Sequence, residues 1–203
     1  MELIIRKTNR NEFHQTENLT RETFWNLFNP GCNEHLVLHN LRKSNNYIER
    51  LDIVAIKNNE IIGHIISTKA KVVDSRNKER EVLCVGPISV LPSLQNNGIG
   101  TNLLNYLISE AKKMGFKGMI LFGDPDYYHR FNFINAKNYE ITTKDNQKFE
   151  PFMALELSEN GLDNVKGRFF EDESFTIKEN ELIEFEKKFP VKKKGKAKIN
   201  IHH

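Results

Sequence analysis

The sequence predicts an α/β fold, in which helices cover a sheet, followed by a C-terminal extension. Three observations carry this expectation. Leu51–Lys57 (LDIVAIK) and Ile61–Lys71 (IIGHIISTKAK) are strand-like runs that flank Asn58-Asn59-Glu60, the chemistry of a hairpin turn. Glu81–Leu91 (EVLCVGPISVL) is a further apolar run, read as a central strand buried on both faces. Residues 98–114 then set Leu104, Leu107, Ile108 and Ala111 at helical spacing, giving one apolar stripe.

The other elements follow in order. Residues 2–8 (ELIIRKT) are short and β-branched, and read as a first strand. Residues 11–28 carry Phe13, Leu19, Phe24, Trp25, Leu27 and Phe28 at roughly helical spacing, in two pieces. Asn29-Pro30-Gly31 is a stop signal, and a second helical stretch covers about 33–45. Asp74–Arg80 is a polar turn. Lys112 and Lys113 close the long helix before Gly115. Gly118–Phe122 is a short buried strand, Asp124-Pro125 opens a short helix, and Tyr139–Thr143 and Phe152–Leu157 read as the last two strands.

From Ser158 the character changes. Residues 158–190 form a loop-rich extension with a short helix over Glu179–Phe189, and they hold Leu162, Val165, Phe169, Phe170, Phe175, Ile177, Leu182, Ile183, Phe185 and Phe189. Full burial of such side chains is worth about 1.5–3 kcal/mol each. They therefore need a packing surface, either on residues 1–157 or on a second copy in a homodimer. The lysine-rich segment 191–203 reads as a solvated, mobile tail.

Composition excludes several classes. Phe alone contributes 14 of 203 residues, so a packed interior can form and global disorder is excluded. A formal charge of +3 gives no nucleic-acid footprint, which leaves only the basic tail to support such a role and disfavours it. Cys32 and Cys84 make neither a disulfide framework nor a zinc site, and no metal is expected. No apolar run approaches the roughly 20 residues needed to span a bilayer, and the first residues do not resemble a signal peptide. The expectation is a cytoplasmic protein without a membrane role.

The chemistry concentrates at Gln95-Asn96-Asn97-Gly98-Ile99-Gly100-Thr101, which follows the apolar strand and opens the best helix. Two glycines let a backbone approach a ligand closely, and a helix N-terminus offers free N–H groups to an anion. A Rossmann fingerprint fails because residue 103 is Leu, and a P-loop fails because Gly100 is followed by Thr101-Asn102. Upstream, Gly86-Pro87 interrupts the strand, where proline cannot donate to the ladder and a bulge is expected. A bulged strand leaves backbone groups for an extended ligand with amides, such as pantetheine attached to a pyrophosphate.

The run Val85-Gly86-Pro87-Ile88-Ser89-Val90-Leu91-Pro92 with Gln95–Gly100 resembles motif A of the GCN5-related N-acetyltransferases (GNAT), with its Gln/Arg-x-x-Gly-x-Gly/Ala signature. Tyr128-His129-Arg130-Phe131-Asn132-Phe133 resembles motif B, Tyr-x-x-x-Gly-Phe, with Asn132 in place of the usual glycine. Asn tolerates the left-handed conformation that such a turn needs. The Gly-Pro strand and Phe152–Leu157 are similar to the bacterial YhbS-type subgroup. The resemblance covers about residues 2–157. It implies a mixed, mostly antiparallel central sheet flanked by helices, and acetyl transfer from acetyl-CoA to a primary amine by direct attack in a ternary complex.

The same resemblance implies roles. Ile88, Ser89 and Val90 would meet the pantetheine, Gln95, Asn96, Asn97, Gly98, Ile99, Gly100 and Thr101 the pyrophosphate, and Phe131 would flank the cofactor. Tyr128 falls where the family places a donor to the leaving thiolate, with Tyr127 as the adjacent alternative. Glu81, on the central strand, is the candidate base, beside Glu79, His39 and His64. Cys84 reads as a buried thiol and His64 as a structural histidine. Asp52, Glu60, His39 and Arg42 are sequence neighbours of the expected acceptor side. The acceptor itself, a small molecule or a peptide, is not legible. An acyl-CoA sensor without acceptor chemistry would use the same cradle.

Overall fold

The computed structural model describes residues 2–199. Strands β1 (Ile4–Lys7), β2 (Tyr47–Lys57), β3 (Glu60–Val73) and β4 (Glu79–Val90) lie side by side, followed by β5 (Gly118–Phe122), β8 (Phe152–Glu156) and β6 (Ile134–Asn135). All neighbouring pairs along this path are antiparallel except β4 with β5. This is the mixed, mostly antiparallel sheet that the sequence implied. The β2–β3 hairpin turns at Asn58 and Asn59, whose φ of 54° and 64° suit the two-residue turn that matches strand twist.

Helices cover both faces. Helix α3 (Ile99–Lys113) buries Leu103, Leu104, Leu107 and Ala111 against Ile53, Ile65, Leu83 and Met119. The opposite face receives α1 (Phe13–Phe24) and α2 (Glu34–Leu41), through Leu19 on Val54 and Ile61 and through Val37, Leu38 and Leu41 on Ile66. Short helix α4 (Pro125–Tyr128) is capped by the Asp124 side chain, which accepts from Asp126 N, and the following turn ends on Asn132 at φ 66°, left-handed as motif B requires.

Several boundaries differ from expectation. The second helix stops at Leu41, and the strand expected over Tyr139–Thr143 shrinks to β7 (Ile141–Thr142), since residues 136–139 form a 3-10 turn. Two strands were not legible, β6 and β9 (Gly167–Phe170). The latter lies in the extension, yet pairs antiparallel with β3 and parallel with β7. Leu162, Val165 and Phe169 complete the core over β4, β5 and β8, while Phe185 and Phe189 of α5 (Glu179–Glu186) and its flank close on Leu36 of α2. Ile183 alone of the expected set is largely exposed, at 55%. These side chains find their packing within one chain.

Residues 191–199 also make specific contacts where a mobile tail was expected. Lys192 pairs with Glu22, Trp25 Nε1 donates to Lys193 O at 3.1 Å, and Lys198 N donates to Asn26 O at 2.9 Å. The turn that follows α1 leaves the Asn26 and Leu27 carbonyls free, and Lys198 N and Ile199 N donate to them. Residues 200–203, including His202 and His203, lie outside the described residues.

Candidate active site

The site is a fork in the sheet. Strand β4 pairs with β5 only at Leu83↔Met119 and Cys84↔Ile120; beyond these the strands part. On its other edge β4 stays on β3 as far as Val90, but the register slips, so Ile66 alone stands opposite Gly86 and Pro87. This is the expected bulge. The edge of β4 from Val85 onward therefore turns unpaired backbone groups toward the gap, and such groups need a partner. The gap is the wall of a cleft of about 970 Å³.

The glycine loop closes one end. Gly98 caps α3 in the left-handed conformation, at φ 76°, which favours glycine. The N–H groups of Ile99, Gly100 and Thr101 fall in the first turn, where no helical carbonyl can reach them, and the helix dipole adds partial positive charge there. Asn97 Nδ2 braces the loop by donating to Leu94 O at 3.2 Å and Gln95 O at 3.0 Å. Arg130 adds a full charge on the cleft wall, held over the Tyr127 ring at 4.5 Å. This end is built for an anion.

The adjacent tyrosines diverge because consecutive residues of a helix point about 100° apart. Tyr127 turns toward the loop; a Cβ added to Gly100 would sit 2.7 Å from its hydroxyl. Tyr128 turns into the core beside Phe133, at 5.7 Å between ring centroids, and its ring fills the space beside Gly123 so closely that any Cβ there would collide. Gly123 directly follows β5, so Tyr128 stands at the fork, with part of its ring on the cleft. Burial pushes its phenol well above the ordinary value, with Tyr127 and Asp124 adding to the effect. The hydroxyl stays protonated at neutral pH and is available as a proton donor.

The cleft thus brings together Ile88, Val90, Gln95, Asn96, Gly98, Ile99, Gly100, Thr101, Tyr127 and Tyr128. Four predicted residues are elsewhere. Ser89 points to the far face of β4, where its hydroxyl donates to Thr20 Oγ1 at 3.0 Å, as strand alternation dictates. Asn97 is spent on the loop itself, and Phe131 is packed in the core. Glu81 is solvent-exposed and pairs with Lys69 at 3.0 Å, off the cleft wall, because it lies near the start of β4, before the fork.

The other base candidates are also accounted for. His64 and Asp52 are fully buried, with Nε2 2.7 Å from Oδ1, and Arg42 grips Asp52 at 2.8 Å. Burial alone would raise the Asp52 carboxyl, but His64 and Arg42 outweigh it and hold it far below its usual range. Burial keeps His64 neutral. His39 pairs with Glu17 at 2.9 Å under Phe185. These groups tie α1 and α2 to the hairpin and do not reach the cleft. Cys84 does line it, at the fork, but burial pushes its thiol far up, which makes it inert.

Besides Asp124, whose carboxylate caps α4, the wall carries two carboxylates that were not singled out by sequence, Glu34 at the start of α2 and Glu171 just after β9. Burial raises both. Nothing in the local sequence distinguishes them from surface charges, and only the fold carries them inward. Among the described residues no group of three or more His, Cys, Asp or Glu is placed to hold a metal, and no helix is long and apolar enough to cross a membrane.

A forked strand pair with a glycine-capped helix N-terminus at its open end is the arrangement of the GNAT fold. The profile of the acetyltransferase (GNAT) family matches residues 13–133, and the chain belongs to that family. Among solved structures, the GNAT family N-acetyltransferase YhbS from Escherichia coli in complex with CoA superposes with a TM-score of 0.76 at 20% identity, over 86% of this chain and 92% of that one. A GNAT family acetyltransferase from Brucella melitensis in complex with acetyl-CoA gives 0.70 at 23% identity, over 86% and 99%. The ribosomal-protein-S18-alanine N-acetyltransferase of Escherichia coli gives 0.54 at 18%, over 78% and 96%. No curated protein sequence matches the chain significantly.

Proposed function

We propose that the chain transfers an acetyl group from acetyl-CoA to a primary amine by direct attack within a ternary complex. The observation that carries this reading is the fork: an unpaired strand edge running from Val85 to Val90 and leading to the free amides of residues 99–101. Pantetheine amides would pair with that edge as a missing strand would, and the pyrophosphate would rest on the helix N-terminus beside Arg130. The thioester would then lie near the point where β4 and β5 part, beside Tyr128. Cys84 offers no alternative nucleophile, since its thiol is held protonated. Collapse of the tetrahedral intermediate expels thiolate, and the Tyr128 hydroxyl is the donor placed to protonate it. YhbS in complex with CoA and the Brucella acetyltransferase in complex with acetyl-CoA support the choice of co-substrate. The free thiols Cys32 and Cys84 support a reducing, cytoplasmic setting.

Titration calorimetry with CoA, followed by thiol release from acetyl-CoA on adding amines, tests the proposal. Micromolar CoA binding with amine-dependent thiol release is the expected result. Binding without release for every amine would favour the sensor, and absence of binding would reject both.

A further inference from the structure

We infer that Glu171, carried to the cleft by the C-terminal extension, receives the acceptor's ammonium group and takes its proton, and that the acceptor is a cationic amine borne on an apolar or aromatic group. This rests on the acetyl-transfer reading and names the partner of that same site.

Position is the first ground. Strand β9 pairs Phe170 with Lys71 on the edge of β3 opposite β4, and the chain that follows it carries Glu171 onto the cleft wall. Its charge acts on the Cys84 thiol, and both residues line the cleft. The reacting end of a thioester laid along β4 would therefore face it.

Lack of a partner is the second ground. The neighbouring Asp172 is fully engaged, by Ser44, by Asn46 Nδ2 at 2.7 Å and by Ser174 N at 2.8 Å. Glu171 has no such contact among the described residues; only the charge of Lys144 acts on it, against a larger effect of burial. A half-buried carboxylate with no hydrogen bond is costly, and a bound cation would offset that cost. A raised carboxyl is also closer to the value a general base needs at neutral pH.

The walls are the third ground. Phe122, 44% exposed, and Glu171 also line a second cavity of about 250 Å³ with Phe149 and Phe169. Glu171 and Phe122 thus stand on both the large cleft and this smaller one, whose walls also carry Thr143, Lys144, Asp145 and Gln147, while Phe24, Phe28 and Phe175 border the large cleft. Glu34 and Asp124, the other carboxylates on the wall, make the region hostile to an acceptor that carries its own carboxylate.

The step balances. The bound ammonium gives one proton to Glu171, and its nitrogen lone pair forms the C–N bond to the thioester carbonyl. The C–S bond breaks, and the sulfur takes a proton from Tyr128. The nitrogen's second surplus proton restores Tyr128, while Glu171 releases its own to solvent. The products are the amide, CoA thiol and one proton.

Thiol release from saturating acetyl-CoA by the full chain tests this, with phenethylamine and hexylamine set against phenylalanine and glutamate. Both amines should be acetylated, with kcat/KM at least 10-fold above phenylalanine. Glu171→Gln should lower kcat/KM for phenethylamine by about 10- to 10³-fold, the span of a lost base. Its CoA affinity by calorimetry should stay within about two-fold, and Glu171→Asp should recover part of the rate. Wild-type rates in Glu171→Gln would overturn the proposal, as would preference for phenylalanine or glutamate. So would phenethylamine that is neither acetylated nor bound by the CoA-loaded chain. If the unaltered chain fails to bind CoA, the acetyl-transfer reading falls first.

Discussion

Tyr128 shows how one side chain can be fixed by a residue it does not bond to. Its ring is seated against Gly123, Phe133 and Tyr127, so the hydroxyl has one permitted position at the fork. Tyr128→Phe keeps the ring and removes the donor. Turnover should fall by about 10- to 10⁴-fold with CoA affinity unchanged, a split that stopped-flow and calorimetry can read. Tyr127→Phe should instead weaken CoA binding, because that hydroxyl faces Gly100. Gly123→Ala tests the seating itself: the methyl must displace the Tyr128 ring, at about 1–3 kcal/mol of stability and a loss of turnover approaching that of Tyr128→Phe. An unchanged kcat in Gly123→Ala would mean that the ring's position is not critical. The tyrosine was legible because motif B spacing points to it. Glu171 was not, because a glutamate in Phe170-Glu171-Asp172-Glu173 looks like any surface charge until β9 is seen to join the sheet.

At the scale of elements, strand β4 and helix α3 act as one device, and their junction was the most legible part of the chain. Gly86-Pro87 announced the bulge, and Gly98-Ile99-Gly100 announced the helix start; both signals are local, so sequence suffices. Gly100→Val should abolish measurable CoA binding, since its side chain would meet Tyr127 and cover the amides, while circular dichroism remains that of the parent. Strands β6, β7 and β9 were poorly legible for the opposite reason. At two to four residues they have no periodicity of their own and exist only through their neighbours. The joint between α2 and α5 carries a pH signature. His35 Nε2 lies 2.8 Å from Glu186 Oε1, yet burial outweighs that charge and lowers the imidazole to about 4. Its folded value lies below its unfolded one, so the unfolded chain binds the extra proton between about pH 6.5 and 4. Stability should therefore fall as pH drops through that window, by up to about 3 kcal/mol at 1.4 kcal/mol per unit. Denaturant titrations of the parent and His35→Gln should show a smaller loss in the variant.

At the scale of the whole molecule, residues 158–190 behave as part of the domain. Glu186 receives Arg21 through paired hydrogen bonds of 2.9–3.1 Å, and Arg21 is only 2% exposed. Removing one partner of a buried ion pair costs about 3–5 kcal/mol, because the other charge is left without compensation. Ending the chain near Ser158 would do this, and would also remove β9 from β3, strip Leu162 and Phe169 from the core, and uncover Leu36. Each lost apolar side chain adds about 1.5–3 kcal/mol. The sum reaches the total stability of an ordinary domain. A chain ending near Ser158 should therefore be insoluble or unfolded, and any folded fraction should lack acceptor turnover, since Glu171 is gone. A chain ending near Pro190 loses the tail contacts to Glu22, Trp25, Asn26 and Leu27, among which the Lys192–Glu22 pair is partly exposed. Exposed pairs of that kind contribute about 0–1 kcal/mol. Its thermal midpoint should stay within a few degrees of the full chain, with CoA affinity intact. Should the shorter chain prove as stable and as active as the full one, the extension would be an appendage, and neither the buried Arg21 pair nor Glu171 would have the part given to it.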